Sequence, residues 1–270
     1  MRALMKFGFS LLLLSMVLTT VAYVVLRNHG VNGGAINPGS RLMATDTRSV
    51  GKNVSAVEVN GPIDLTVRYG PVPSLQVRGE QRLLSNIDTT VEGDKLRITL
   101  RGLLLSHRRP LQAVVVLPAL SNLTVTGSGA SKVDGFSGEQ VELLMSGPGS
   151  IKFNARYRQV TARLHGNGNL DLDVGNSDRV NTQVLGSGTI TVAGSCTELA
   201  ADITGSGEIN ARHLRAEKVS LHKSGSGDSS INARTSVTVS INGSGDVEVY
   251  GNPPQRSVSR TGSGDVTFND

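Results

Sequence analysis

Residues 239–249 read Val-Ser-Ile-Asn-Gly-Ser-Gly-Asp-Val-Glu-Val, and this stretch contains the pattern that decides the fold. Apolar and polar residues alternate on both sides of a central Gly-Ser-Gly. Alternation with a period of two is typical of a β-strand that buries one face. The stretch therefore predicts two short strands that meet at a glycine corner.

The same corner recurs along the chain. Eight Gly-x-Gly copies begin 20, 19, 20, 19, 20, 18 and 19 residues apart. Their turn glycines are Gly127, Gly129, Gly147, Gly149, Gly166, Gly168, Gly186, Gly188, Gly205, Gly207, Gly225, Gly227, Gly243, Gly245, Gly262 and Gly264. So regular a period indicates a repeat architecture rather than one phosphate-binding loop, and no helical pattern follows any copy.

The inward positions of the repeat are defined by the second and fourth residues on each side of every corner. Of these 32 positions, 27 are apolar. A two-strand unit of this length cannot bury its apolar side alone, so successive units must stack. We therefore expect an all-β, single-domain parallel β-solenoid of about eleven coils, right-handed because parallel crossovers generally are. Lys223 and Arg260 also occupy inward positions. They mark either a local distortion of the coil or a notch with a functional role.

Four segments follow from the pattern. Residues 1–27 predict a signal anchor, because residues 7–26 are uncharged and 15 of the 20 are apolar, enough for a transmembrane helix. Residues 28–49, rich in Gly and Asn, predict a flexible linker. Residues 50–118 alternate without Gly-x-Gly and predict irregular coils that cap the solenoid, and residues 119–270 hold the eight copies.

The N-terminal charges set the orientation of the predicted anchor. Arg2 and Lys6 precede it and should stay in the cytoplasm, which places the solenoid on the periplasmic side of a bacterial inner membrane. Cleavage after Ala22 is the alternative, and it would leave a periplasmic or secreted protein.

Composition excludes several classes of protein. Beyond residue 27 the chain carries 24 basic and 22 acidic residues, with no basic cluster interleaved with aromatic residues, so we expect no nucleic-acid partner. One cysteine, Cys196, allows no intrachain disulfide and is interpreted as a small buried residue. The five histidines form no i, i+4 pair, so we expect no metal site from them.

The sequence resembles a known family over nearly all of residues 48–268. The resemblance is carried by Arg48-Ser-Val-Gly-Lys-Asn-Val-Ser-Ala-Val-Glu-Val, by Leu117-Pro-Ala-Leu-Ser-Asn-Leu-Thr-Val, and by the Gly-Ser-Gly-Asp-Val copies at 243–247 and 262–266. These stretches are similar to the putative auto-transporter adhesin, head GIN domain family. The resemblance implies a bacterial cell-envelope β-helical domain, suggests adhesion, and carries over no catalytic residues.

The residue after the Gly-x-Gly is acidic in the last four copies, at Glu208, Asp228, Asp246 and Asp265. Stacking would place these side chains in a column of like charges roughly 5 Å apart. Turn aspartates usually accept hydrogen bonds from backbone N–H groups. A calcium site is the alternative, although the second aspartate of calcium-binding nonapeptide repeats is missing.

The function predicted from these features is a non-catalytic, adhesin-like binding or structural module for an envelope polysaccharide or a protein partner. One alternative is a carbohydrate-active hydrolase or lyase that uses the acidic column, which would need paired carboxylates at a groove. A second alternative is an envelope scaffold that self-associates through its C-terminal coil, because the strand from Val266 to Phe268 looks like an uncapped edge.

Overall fold

The computed structural model describes residues 42–102 and 110–269. Within them the chain forms 17 strands and one short helix, and the described residues from Met43 onward belong to one compact unit. The elements are β1 (Met43–Arg48), β2 (Ala56–Asn60), β3 (Ile63–Tyr69), β4 (Ser74–Glu80), α1 (Gln81–Leu84), β5 (Ile87–Glu92), β6 (Lys95–Leu100), β7 (Leu111–Leu117), β8 (Asn122–Thr126), β9 (Ala130–Ser146), β10 (Ser150–Gly166), β11 (Asn169–Gly186), β12 (Thr189–Gly205), β13 (Glu208–Gly225), β14 (Ser229–Gly243), β15 (Val247–Tyr250), β16 (Gln255–Gly262) and β17 (Val266–Phe268).

The repeats stack as a parallel β-solenoid. Each strand from β10 to β13 pairs in parallel with the next, and Gly166 aligns with Gly186 as Leu164 aligns with Val184. The corners from Gly127 to Gly262 enclose about seven turns. The expected eleven coils are therefore too many, because the chain before β8 does not continue the stack in simple sequence order.

Each coil has two kinds of corner. The Gly-x-Gly interrupts the strand and is called here the glycine corner. Halfway between two glycine corners the chain turns without leaving the strand, and the register shifts there, as between Asn154 and Gln159. We call this second corner the bend. From β9 to β14, one long strand per turn therefore replaces the predicted two short strands, because the bend does not interrupt the strand. The last coil keeps the two predicted short strands, β15 and β16.

The inward positions predicted by the alternation form the core. Apolar side chains at these positions are buried from Val125 to Val249, and Thr182 and Lys223 are buried among them. The pattern fails only in the last coil, where Val258 is 41% exposed and Arg260 is also exposed. No further coil covers them within the described residues, since β16 pairs only with β14.

The glycine corners stack backbone on backbone. Ser206 N donates to Gly186 O at 2.9 Å, and a Cβ at Gly205 would lie 2.4 Å from that same oxygen. Gly205 also has a φ of +119°, which L side chains rarely adopt. The column begins earlier than the repeats indicate, because Gly127 stacks on Gly61 in the same way.

The N-terminal strands join the solenoid in an order that differs from their order in the sequence. Strands β2 and β3 lie directly beneath β8 and β9, and β6 and β7 then pair in parallel beneath β2 and β3. Antiparallel strands cover the edge: β4 pairs with β7, β1 with β4, and β5 with β6. Helix α1 buries Leu83 and Leu84 against this end.

Strand β1 corrects the predicted linker. Residues 43–48 lie inside the segment 28–49 but form a six-residue strand that pairs along its whole length with β4. Arg48 ties it down further, since Nη1 donates to Ile87 O at 2.6 Å. Composition could not predict this strand, because residues 43–48 form it by pairing with β4, which is distant in the sequence.

The predicted transmembrane segment 7–26, and the linker as far as residue 41, lie outside the described residues. Between residues 42 and 269, leaving aside 103–109, no helix is both long and apolar enough to cross a bilayer.

Replacing Gly205 by Ala should lower the free energy of unfolding by about 3 kcal/mol, because the new Cβ would collide with Gly186 O at a strained φ. Urea-induced unfolding followed by circular dichroism measures the change. Gly93→Ala is the matched control: Gly93 has a φ of +64° but nothing within 4 Å of its Cβ position, so its loss should be about 1 kcal/mol. Equal losses would mean that corner stacking does not limit stability.

Candidate functional site

The predicted acidic column exists as a chain of hydrogen bonds between coils. Asp246 N donates to Asp228 Oδ1 at 2.9 Å, and Asp265 N donates to Asp246 Oδ1 at 2.8 Å. The chain does not include Glu208. Each carboxylate thus satisfies a backbone donor of the next coil, which is the turn role expected for aspartate. Asp64 plays the same part at the other end, accepting from Ala130 N at 3.0 Å.

The structure gives the calcium alternative no site in the part of the chain that it describes. Among these residues, no three His, Cys, Asp or Glu side chains come close enough to hold a metal ion. Asp228 and Asp246 lie one coil apart and each accepts a backbone N–H with one carboxylate oxygen, so the carboxylates do not converge on one point as calcium ligands must.

Lys223 lies beneath the acidic column. Its side chain is 1% exposed, and Nζ donates to Asp246 O at 3.1 Å. The loss of water around the amine lowers the pKa of Lys223, and the negative charges of Asp228, Asp246 and Glu208 oppose that shift. The buried cation and the acidic column are therefore one electrostatic unit, which explains why an inward position carries a lysine.

Ser229 belongs to the same polar pocket. It occupies the inward position on the other side of the glycine corner from Lys223, and its backbone N donates to Asp246 O at 3.0 Å. The Ser229 hydroxyl is buried and has no hydrogen-bond partner. This corner is accordingly the most polar point in the C-terminal half of the core.

Arginines close the C-terminal end of the core. Arg256 and Arg260 align with the buried Val237 and Ile241 of the coil beneath them. The Arg256 guanidinium lies 4.2 Å from the centre of the Phe268 ring, and its Nε donates to Pro253 O at 2.9 Å. Arg260 pairs with Asp265 at 2.5 Å. The Arg260 that interrupts the apolar pattern is therefore part of a charged cover.

A polar cleft lies on the bends of β11 to β14, and the sequence analysis did not identify it. Its volume is about 650 Å³. The residues that line it are Asn176, Ser195, Cys196, Thr197, Arg215, Glu217 and Arg234. In the sequence these residues fall between the inward positions of different repeats, so only stacking brings them together. The unequal length of neighbouring repeats was the one available signal.

Cys196 forms part of the cleft floor. The side chain is 4% exposed, and burial together with the charge of Glu198 raises the pKa of its thiol to about 12. A thiol that stays protonated at neutral pH is a poor nucleophile. The interpretation of Cys196 as a small buried residue is therefore confirmed.

These features define the chain as a capped β-solenoid protein with polar outer surfaces. It belongs to the family described as "Putative auto-transporter adhesin, head GIN domain", whose model matches residues 53–253. The resemblance noted from the sequence is thus confirmed. No curated protein matches the sequence.

Solved structures share the fold at low sequence identity. A putative adhesin from Parabacteroides distasonis is 20% identical, with a TM-score of 0.79 over 86% of this chain and 98% of the other. A putative adhesin from Parabacteroides merdae is 18% identical, with a TM-score of 0.76 over 84% and 96%. A putative lipid binding protein from P. distasonis is 22% identical, with a TM-score of 0.74 over 84% and 97%.

Replacing Lys223 by Met should raise the free energy of unfolding at pH 7, because it removes a buried charge while Ser229 N still satisfies Asp246 O. The pKa of Lys223 is lower in the folded protein than in the unfolded one. As the pH rises toward 10.5, the folded protein therefore loses this proton first, and the unfolded chain holds more protons than the folded one. The wild type therefore gains stability over that range, and the difference in unfolding free energy between it and the Lys223→Met variant narrows. Urea unfolding from pH 7 to 10 measures both effects. A variant less stable than the wild type at pH 7 would show that attraction to the acidic column outweighs desolvation.

Replacing Asp246 by Ala should cost about 1 kcal/mol of unfolding free energy, because Asp265 N loses its acceptor. Asp246→Asn keeps an acceptor oxygen and should lose less. Thermal unfolding of both variants beside the wild type tests this. If the Asp246→Ala variant is as stable as the wild type or more stable, repulsion between the carboxylates of the column would be the larger effect.

Proposed function

We propose that this protein is a non-catalytic module of the bacterial cell envelope that binds an envelope polysaccharide or a protein partner. The observation that carries the proposal is the extended polar exterior of the solenoid. Between inward residues, the strands present Ser, Thr, Asn and charged side chains coil after coil, with ion pairs linking neighbours such as Arg158 with Asp178 and Arg179 with Glu198. Repeat proteins use such continuous surfaces for binding.

The proposed location follows from the N-terminal segment. Residues 7–26 act as a membrane anchor, and the solenoid lies on the periplasmic side of the inner membrane. A right-handed coil is part of the same proposal. Cleavage after Ala22 would instead release the solenoid as a periplasmic or secreted protein.

The acidic column favours a structural role over catalysis. Glycoside hydrolysis needs two carboxylates that face one bond across a groove. Here Asp228 and Asp246 each hold a backbone N–H of the next coil, and Asp265 pairs with Arg260. The hydrolase or lyase alternative therefore rests on groups that are already engaged.

The charges on the C-terminal coil argue against self-assembly through that coil. Inward-pointing charges on an outermost strand oppose pairing with another sheet edge. Strand β16 places Arg256 and Arg260 at its inward positions, and both guanidiniums are held within the same chain. A scaffold built through Val266 and its neighbours would have to desolvate these two charges.

The test is co-sedimentation of the full-length chain with isolated envelope fractions, with the soluble phase analysed for released glycan fragments. Saturable binding without fragments is the expected result. Asp246→Ala serves as the matched variant: fragments that appear with the wild type and vanish with this variant would make the protein an enzyme. Absence of saturable binding to every fraction would overturn the proposed function.

A further inference from the structure

The cleft on the bends arises from a difference in length between neighbouring repeats. The step from Gly205 to Gly225 is 20 residues and the next step is 18. The register places that difference at the bend, since Ala211 aligns with Ile231 and Ala216 with Ala233. Four residues of β13, 212–215, therefore stand beside a single residue of β14. Arg215, the last residue of this longer bend, lines the cleft.

Charges in the cleft are unbalanced. Arg234 Nη1 donates to Glu217 Oε1 at 3.1 Å, and Thr235 Oγ1 donates to Glu217 Oε2 at 2.9 Å, so both oxygens of the carboxylate are engaged. Arg215 is exposed and pairs with no described residue. Two guanidiniums and one carboxylate leave the cleft with a net charge of +1.

Neutral donors lie beside Arg215. The register stacks Asn176, Ser195 and Arg215 directly above one another. The Ser195 hydroxyl donates toward Gly175 O and Asn176 Oδ1, both at 3.2 Å. The amide NH₂ of Asn176 and the hydroxyl of Thr197 donate no hydrogen bond to a described residue. The cleft thus offers one free guanidinium and two neutral polar groups at its rim.

We infer that this cleft binds a carboxylated saccharide unit of an envelope glycan, with Arg215 holding the carboxylate and Asn176 and Thr197 bonding ring hydroxyls. The inference rests on the proposed function and names the ligand class for it. A volume of about 650 Å³ lies within the range of small-ligand sites. The planar guanidinium matches a carboxylate with two parallel hydrogen bonds.

The charge of the cleft selects among anions. A net charge of +1 balances a single carboxylate, whereas a phosphate monoester would bring nearly two negative charges beside Glu217. The lining is polar, with Cys196 as its one apolar contributor, so an acyl chain would gain little there. A hydroxylated sugar unit with one carboxylate is therefore the ligand that fits these residues, and only one such unit of an oligomer would occupy the cleft.

The test uses trigalacturonate as the probe and isothermal titration calorimetry of the full-length chain. Arg215→Gln should weaken binding about tenfold or more, because a charge-assisted hydrogen bond is lost. Arg101→Gln is the matched control, since Arg101 follows β6, is exposed, and pairs with Asp88 in the N-terminal region, away from the cleft. It should bind as the wild type does. Circular dichroism checks that both variants remain folded.

Two further probes identify the source of binding. Trigalacturonate methyl ester, which lacks the charge, should not bind. Glucose 6-phosphate, a phosphate monoester, should bind more weakly than trigalacturonate, and tighter binding would replace the carboxylate by a phosphate and overturn the inference.

The outcome separates this inference from the proposed function. If the wild type sediments with envelope fractions but ignores trigalacturonate, or if Arg215→Gln binds it unchanged, the cleft assignment is wrong while the module still binds the envelope elsewhere. If nothing sediments and nothing titrates, both proposals fail together.

Discussion

The stacking of glycine corners is the constraint on which the rest of the solenoid depends. At each corner the carbonyl oxygen of one glycine accepts from the next coil, as Gly205 O does from Ser226 N at 3.1 Å. A Cβ on the next corner glycine would collide with that oxygen at Gly186, Gly205, Gly225, Gly243 and Gly262, so these coils need glycine at the same place. The column holds the coils in register, and the register in turn aligns the inward side chains into one continuous core.

Electrostatics in the C-terminal half follow from that register. Once the corners are stacked, the residues after them form a column whether or not their charges agree. The like charges of Asp228 and Asp246 are tolerated because each carboxylate accepts a backbone N–H and because the buried Lys223 lies beneath them. Arg256 and Arg260 complete the arrangement by covering the last coil with charge.

The bends have more freedom than the glycine corners, and this is why we place binding there. A bend can gain or lose residues without breaking the ladder, as the long bend of β13 and the short bend of β14 illustrate. Glycine corners cannot vary in this way because they touch through the backbone. This chain therefore keeps one scaffold while its bends differ in length and charge, which is the usual division between rigid framework and functional loop.

The period, the glycine corners and the inward residues could all be predicted from the amino-acid sequence. These follow from local chemistry: alternation is a property of extended backbone, and glycine alone fits a positive φ beneath a neighbouring carbonyl. Contacts between distant segments were needed to show that Met43–Arg48 is a strand, that β6 and β7 lie beneath β2 and β3, and that Lys223 contacts Asp246. The cleft at Arg215 belongs to this second group, because its walls come from four coils and depend on which bends become neighbours.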